Sequence, residues 1–133
     1  MQKLSKRAGV LVDTDVFIWY FRKNRAAKRF FRTEIRPIYY SKITLKELLY
    51  AGISSSEVLR VKTFLGFYRI VNLDTRVAKL YDYLIDKYLY LKNNCHDAII
   101  AVSAMSRKLV LVTANYHHFD KIEELDIEIF SPR

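Results

Sequence analysis

Acidic side chains stand at three places where the surrounding sequence is otherwise apolar. Asp13 follows the apolar run 10–12, Glu47 lies early in a predicted helix, and Asp97 begins a helix that is apolar nearly all round. Carboxylates packed together repel one another, so some of their pKa values rise unless a cation neutralises them. Mg²⁺ and Mn²⁺ prefer such oxygen ligands. Beside a basic surface, this pattern favours metal-assisted cleavage of phosphodiesters.

Alternating strands and helices would bring these acids together. Short apolar runs predict strands, and apolar residues at helical spacing predict the helices between them. The alternation implies βαβ units with right-handed crossovers and a mainly parallel α/β sheet of four to five strands. Asp13, Glu47 and Asp97 can all point to the carboxyl edge of that sheet, where ligands bind, as can Asn115 just past the fourth strand. The predicted strands are 10–12, 36–41, 68–71, 109–112 and 127–130.

Each acid also has an ordinary structural explanation. Asp13 or Asp15 could cap the helix that follows by accepting from its free backbone N–H groups. Thr44 and Glu47 have the spacing of a capping box, and Gly52 is expected to end that helix. A helix cap would explain each acid on its own, whereas a metal site would explain why all three are expected at the same edge of the sheet.

The length of the chain indicates one domain, residues 1–133. Its cysteine content indicates a reducing compartment. Cys95 is the only cysteine, so no internal disulfide can form, and a cytoplasmic protein is the default. The apolar runs are too short to span a bilayer, so we expect no membrane association through a spanning segment. The basic residues Lys3, Lys6 and Arg7 are followed by no long apolar segment of the kind found in signal peptides.

The chain is strongly basic, with a net charge of +9, and much of that charge is concentrated in residues 22–36. Lys and Arg side chains dominate binding to nucleic acids by neutralising phosphates, so this segment favours contact with nucleic acid. A solvated basic helix is the alternative. The basic residues of the segment are Arg22, Lys23, Arg25, Lys28, Arg29, Arg32 and Arg36.

Four stretches of the chain stand out together: VLVDTD at 10–15, SKITLKEL at 41–48, HDAIIA at 96–101 and LVTANYHHF at 111–119. They resemble PIN-domain ribonucleases, in particular VapC-type toxins of toxin–antitoxin pairs. Any one stretch is weak, but their order and spacing, in a chain of this length, are fairly specific. The resemblance implies a three-layer α/β/α fold and a ribonuclease dependent on Mg²⁺ or Mn²⁺.

The resemblance also implies roles for individual residues. Asp13, Glu47 and Asp97 take the metal-binding acid positions, and Asn115 takes a fourth catalytic position where many relatives carry Asp. Because Asn is neutral, it should weaken metal binding while keeping an oxygen acceptor, so the number of metals, one or two, stays open. The supporting residues are Thr14, Asp15 and Thr113.

Partners follow from the same resemblance: an RNA substrate, a second copy in a homodimer, and a small cognate antitoxin. Two other functions stay open. Asp13 and Asp15 could be the nucleophile and general acid of a phosphatase, although Glu47 and Asp97 would then have no role. A PIN-like module could bind RNA or protein without cutting, which the neutral Asn115 would suit.

Three histidines lie near the expected site. His117 and His118 could transfer protons or contact RNA, but a loop or core role is commoner for such residues. His96, which precedes Asp97, is expected to be a cap or to fill space.

Overall fold

The computed structural model, which describes residues 9–50 and 53–133, contains a sheet of five parallel strands. The strands are β1 (Val10–Val12), β2 (Ile38–Ser41), β3 (Arg69–Val71), β4 (Val110–Thr113) and β5 (Ile127–Ile129). Their order across the sheet is β3-β2-β1-β4-β5, which places β1 at the centre. The prediction of a mainly parallel sheet is therefore confirmed.

Helices cover both faces of the sheet, which gives the expected three-layer α/β/α arrangement. Short 3₁₀ helices occur at Leu89–Asn93 and Tyr116–His118. One core contains Phe17, Phe31 and Leu65, and the other contains Leu84 and Ile100. The α-helices are α1 (Thr14–Phe21), α2 (Arg25–Thr33), α3 (Lys42–Leu49), α4 (Ser55–Leu65), α5 (Thr75–Lys87) and α6 (Cys95–Ser106).

The central strand β1 is buried on both faces. Val10, Leu11 and Val12 are each fully inaccessible to solvent. Because side chains alternate along a strand, Leu11 packs into one core while Val10 and Val12 pack into the other. The chain therefore leaves β1 at Asp13 in the interior of the protein, at the carboxyl edge of the sheet.

The capping box predicted for Thr44 and Glu47 is wrong. Helix α3 begins at Lys42, and the Ser41 hydroxyl at the end of β2 caps it by accepting from the Ile43 N–H. Thr44 consequently lies inside the helix and is buried.

Some predictions fall on residues outside the described ranges. These are the helix end at Gly52 and the basic residues Lys3, Lys6 and Arg7 near the N-terminus. The extent of the domain over residues 1–133 accordingly stays a prediction. In the described parts of the chain, every helix is too short or too polar to cross a membrane.

Candidate active site

Asp13 is both the cap of α1 and a buried acid at the sheet edge. Its Oδ1 accepts from the Thr14 N–H at 2.8 Å, and its Oδ2 accepts from the Thr113 hydroxyl at 2.8 Å. The explanation of Asp13 as a helix cap is therefore correct. A carboxylate offers about four lone-pair sites, however, so these two bonds leave capacity for a further ligand.

The Asp13 carboxyl is held in an environment that opposes its charge. Burial, and then the negative charges of Asp15 and Asp97, raise the pKa of Asp13 to about 8, against the opposing hydrogen bonds from Thr113 and Thr14. Without a cation, burial and the mutual repulsion of Asp13 and Asp15 favour a proton shared by this pair of carboxyls. A nearby divalent cation would reverse this balance by favouring the carboxylate.

Glu47 is joined to the start of α1 by a pair of threonine hydroxyls. The Thr14 hydroxyl donates to Glu47 Oε1 at 2.6 Å and lies 2.8 Å from the Thr44 hydroxyl. Because the Thr14 proton is used on Glu47, the Thr44 hydroxyl donates to Thr14. The second oxygen of Glu47, Oε2, contacts His96 Nδ1. Glu47 is thus held beside the residue that follows Asp13.

Asp97 lies in the first turn of α6 and faces the same region. Its Oδ2 is 3.3 Å from His118 Nδ1. Burial raises the pKa of Asp97, the charges of His118 and His96 oppose that rise, and Glu47 adds to it. Asp97 therefore lies within electrostatic range of both Glu47 and Asp13.

Asp15 and Asn115 form a pair across the sheet edge. Asp15 Oδ2 accepts from the Asn115 side-chain amide at 2.8 Å and from the Ala114 N–H at 3.2 Å. Its Oδ1 is buried and has no hydrogen-bond partner among the described residues. Burial raises the pKa of Asp15. Asp15 does not cap α1, since Asp13 does, and its unpartnered buried oxygen calls for a proton, a water or a cation.

The donor set fits a hard divalent cation that keeps much of its water. In residues 9–50 and 53–133, no three His, Cys, Asp or Glu side chains form a ready-made metal cage. Mg²⁺ seldom requires one, because it usually binds one or two carboxylates and completes its octahedron with water and substrate phosphate. The raised pKa values and the unpartnered Asp15 oxygen are what such an ion would relieve.

Two histidines adjoin the acids more closely than the sequence indicated. His96, expected to be a cap or filler, contacts Glu47, and α6 has no side-chain cap. His118 reaches Asp97, whereas His117 is 92% exposed and pairs with Asp120 instead. The adjacency of His96 to Asp97 at a helix start was the available clue.

Comparison with known proteins places the chain in a family. A model of the PIN domain matches residues 10–125. The chain belongs to the PIN-domain family. A search of curated protein sequences found no match.

Solved structures agree with this assignment. The PIN domain is similar to a toxin–antitoxin complex from Klebsiella pneumoniae, with 26% identity, a TM-score of 0.77, and coverage of 94% of this chain and 98% of that one. It is also similar to DNA-bound VapBC from Salmonella typhimurium, with 29% identity, a TM-score of 0.75, and coverage of 93% of this chain and 99% of that one. VapBC2 from Rickettsia felis, bound to a promoter DNA fragment, has 20% identity and a TM-score of 0.78, with coverage of 92% of this chain and 98% of that one. At this identity the likeness supports the fold. The predicted resemblance to VapC-type PIN toxins is confirmed.

Proposed function

We propose that this PIN-domain protein is a metal-dependent endoribonuclease and the toxin of a toxin–antitoxin pair. One observation carries the proposal: a buried carboxyl, Asp13, ends the central strand with its pKa raised to about 8 beside other acids. Such perturbation costs stability, and it is characteristic of sites that bind a cation or transfer protons.

The residues divide into ligands and supports. Asp13, Glu47 and Asp97 would hold Mg²⁺ or Mn²⁺ directly or through its bound water, and the ion when bound supplies an activated water and neutralises charge on the phosphoryl oxygens. Thr14 and Thr113 orient two of the acids through their hydroxyls. Such supporting contacts fix a ligand's position and strengthen metal affinity.

The neutral Asn115 orients a further acid. Its amide N–H group donates to Asp15. Because the amide is neutral, Asn115 cannot supply the negative charge that many relatives place at this position. We therefore infer one bound metal rather than two, with Asn115 acting through Asp15 or through a water.

Partners are part of the proposal. The Klebsiella and Salmonella relatives are complexes of a toxin with its antitoxin, which supports a small protein inhibitor for this chain too. We also propose RNA as the substrate, a homodimer as the assembly, and the cytoplasm as the location.

Cleavage of RNA tests the activity. Purified protein should cut a mixed RNA only when Mg²⁺ or Mn²⁺ is added, and Asp97→Asn should reduce cleavage at least about a hundredfold, since a charged metal ligand is lost. Asp86→Asn, an exposed acid on α5, is the matched control and should cut like the wild type. Equal cleavage by all three proteins would reveal a contaminating nuclease and refute the proposal.

A module that binds without cutting is the second candidate, and Asn115 favours it. Asn115→Asp restores the acid found in many relatives. If only this variant cuts RNA, the wild type is a binding module. The phosphatase alternative gains no support from the PIN-domain match; Asp15→Ala would abolish phosphatase chemistry but only weaken a PIN site.

A further inference from the structure

Two histidines lie against acids of the candidate site. His96 Nδ1 contacts Glu47 Oε2, and His118 Nδ1 lies 3.3 Å from Asp97 Oδ2. Each histidine belongs to a different part of the chain from the acid that it contacts, so both contacts are formed by the tertiary structure. An imidazole beside a carboxylate restricts the orientation of that carboxylate, which is how supporting residues hold the ligands of a metal.

His118 restrains an acid that has few other partners. Asp13 and Asp15 each accept two hydrogen bonds from the chain around them. In the described parts of the chain, by contrast, His118 is the one side chain in polar contact with the Asp97 carboxylate. A carboxylate that turns freely loses that freedom when it binds an ion, so a restraint that already exists favours binding.

The backbone of His118 is itself held in place. It lies in a 3₁₀ turn, where its N–H donates to the Asn115 carbonyl at 3.0 Å and its carbonyl accepts from the Tyr90 hydroxyl at 3.3 Å. The next side chain, Phe119, is fully buried. The ring of His118 therefore reaches Asp97 from an anchored turn.

His96 gives Glu47 a second restraint. The Thr14 hydroxyl donates to Oε1 of Glu47 and His96 contacts Oε2, so each oxygen has a partner from a different helix. His96 also directly precedes Asp97 in α6, so one turn supplies a candidate ligand and the support for another. Because Thr14 remains, loss of His96 should free Glu47 less than loss of His118 frees Asp97.

These contacts contribute little to the stability of the fold. The side chains of His96 and His118 are 64% and 55% exposed. Polar pairs with so much access to water are worth little to folding, because water screens them. Their effect is therefore expected on the orientation of the two acids.

We propose that His118 and His96 are positioning residues, which hold Asp97 and Glu47 in the orientation that the cation requires. The inference rests on the proposed metal-dependent function and adds two residues that act through the acids. Direct binding of the ion by the imidazoles is the alternative. Mg²⁺ prefers oxygen ligands, and each Nδ1 already faces a carboxylate oxygen, which favours the supporting role.

Binding of Mn²⁺ in the absence of RNA tests the proposal. The sharp electron paramagnetic resonance signal of free Mn²⁺ falls as the ion binds, which gives the dissociation constant for each variant. His117→Ala is the matched control, because His117 is the neighbouring histidine of the same turn, is 92% exposed and pairs with Asp120. It should bind Mn²⁺ like the wild type. Circular dichroism verifies that every variant folds.

The two histidines should differ in their effect. Supporting residues change metal affinity by about 10–100-fold, so we expect His118→Ala to weaken Mn²⁺ binding about tenfold, and His96→Ala about threefold because Thr14 still holds Glu47. His118→Asn places an amide N–H close to the position of Nδ1 and should restore binding to within about threefold of the wild type.

Other results would overturn the inference. Tighter Mn²⁺ binding by His118→Ala would mean that the imidazole competes with the ion for Asp97. Nitrogen modulation in the pulsed spectrum of bound Mn²⁺, absent from His118→Ala, would make the imidazole a ligand. A wild type that binds no Mn²⁺ would refute the metal site and both proposals with it.

The two proposals can also fail separately. If both alanine variants bind Mn²⁺ like a wild type that cuts RNA, the positioning role is wrong and the activity stands. Binding of Mn²⁺ that depends on His118, by a protein that never cuts RNA, would uphold the positioning role and refute the activity.

Discussion

Replacing Asp13 by Asn should stabilise the metal-free protein at alkaline pH. The pKa of Asp13 rises from its ordinary value of 3.8 to about 8 in the folded protein. Each pKa unit corresponds to 1.36 kcal/mol, so ionising this carboxyl in the fold opposes folding by about 5 kcal/mol at pH 8. Asn has nearly the same shape and carries no charge.

The net gain will be smaller than that upper figure. Thr14 donates to one oxygen of Asp13 and Thr113 donates to the other, whereas Asn has a single acceptor oxygen, so one of these bonds is lost at a cost of about 1 kcal/mol. The wild-type site will also relax in part. We expect Asp13→Asn to raise the free energy of unfolding by about 2–4 kcal/mol at pH 8.

The gain should depend on pH in a defined direction. Between pH 3.8 and about 8 the unfolded chain has released a proton that folded Asp13 retains, so the wild-type stability falls as pH rises through this window. The difference between variant and wild type should therefore be small near pH 4, grow to pH 8, and level off above it.

Urea unfolding in EDTA at pH 5, 7 and 8, followed by the fluorescence of Trp19, measures this difference. Asp74→Asn is the control, because hydrogen bonds from Val77 and Arg107 lower the pKa of Asp74, and its loss should destabilise the protein. Saturating Mg²⁺ should stabilise the wild type and not Asp13→Asn. A wild-type stability that stays level from pH 5 to 8, with a destabilised Asp13→Asn, would refute the raised pKa.

Three other changes test separate parts of the structure. Thr14→Val removes the hydroxyl that donates to Glu47; RNA cleavage titrated with Mg²⁺ should show a metal affinity about 10–100-fold weaker, as for other supporting residues. Gly9→Ala would place a Cβ 2.8 Å from the backbone oxygen of Pro37; this should cost about 1–3 kcal/mol and lower the melting temperature. Hydrogen bonds from a lysine and two tyrosines lower the pKa of Glu124 to about 2, so Glu124→Gln should lower the melting temperature at pH 7, and the difference should shrink as pH falls from 4.5 towards 2.

The fold was predictable because its strongest patterns are local. A run such as Val10 to Val12 ends abruptly at Asp13, and alternation with helices constrains the sheet to be parallel. The helix start at Lys42 was missed because Ser41 and Thr44 are both suitable caps; the hydroxyl of Ser41, at the end of the strand, is the one that caps the helix.

The sequence predicted that the acids lie at one edge of the sheet, but it did not predict their contacts, and their catalytic roles stay a prediction. Position along the chain placed Asp13, Glu47 and Asp97 at one edge, but only the tertiary structure shows that His96 contacts Glu47 and that His118 lies 3.3 Å from Asp97. Those contacts join residues far apart in sequence, so no local pattern encodes them.

The burial of β1 explains why the pKa of Asp13 in particular is raised so far above its ordinary value. Its strand is central and fully buried, so Asp13 is the acid with the least access to water, at 7% exposure. Asp97 lies in the first turn of α6 and keeps contact with solvent and with His118. Desolvation acts most strongly on the carboxyl at the end of the innermost strand. Metal affinity should therefore rise with pH chiefly through Asp13, because its proton must leave before the ion can bind.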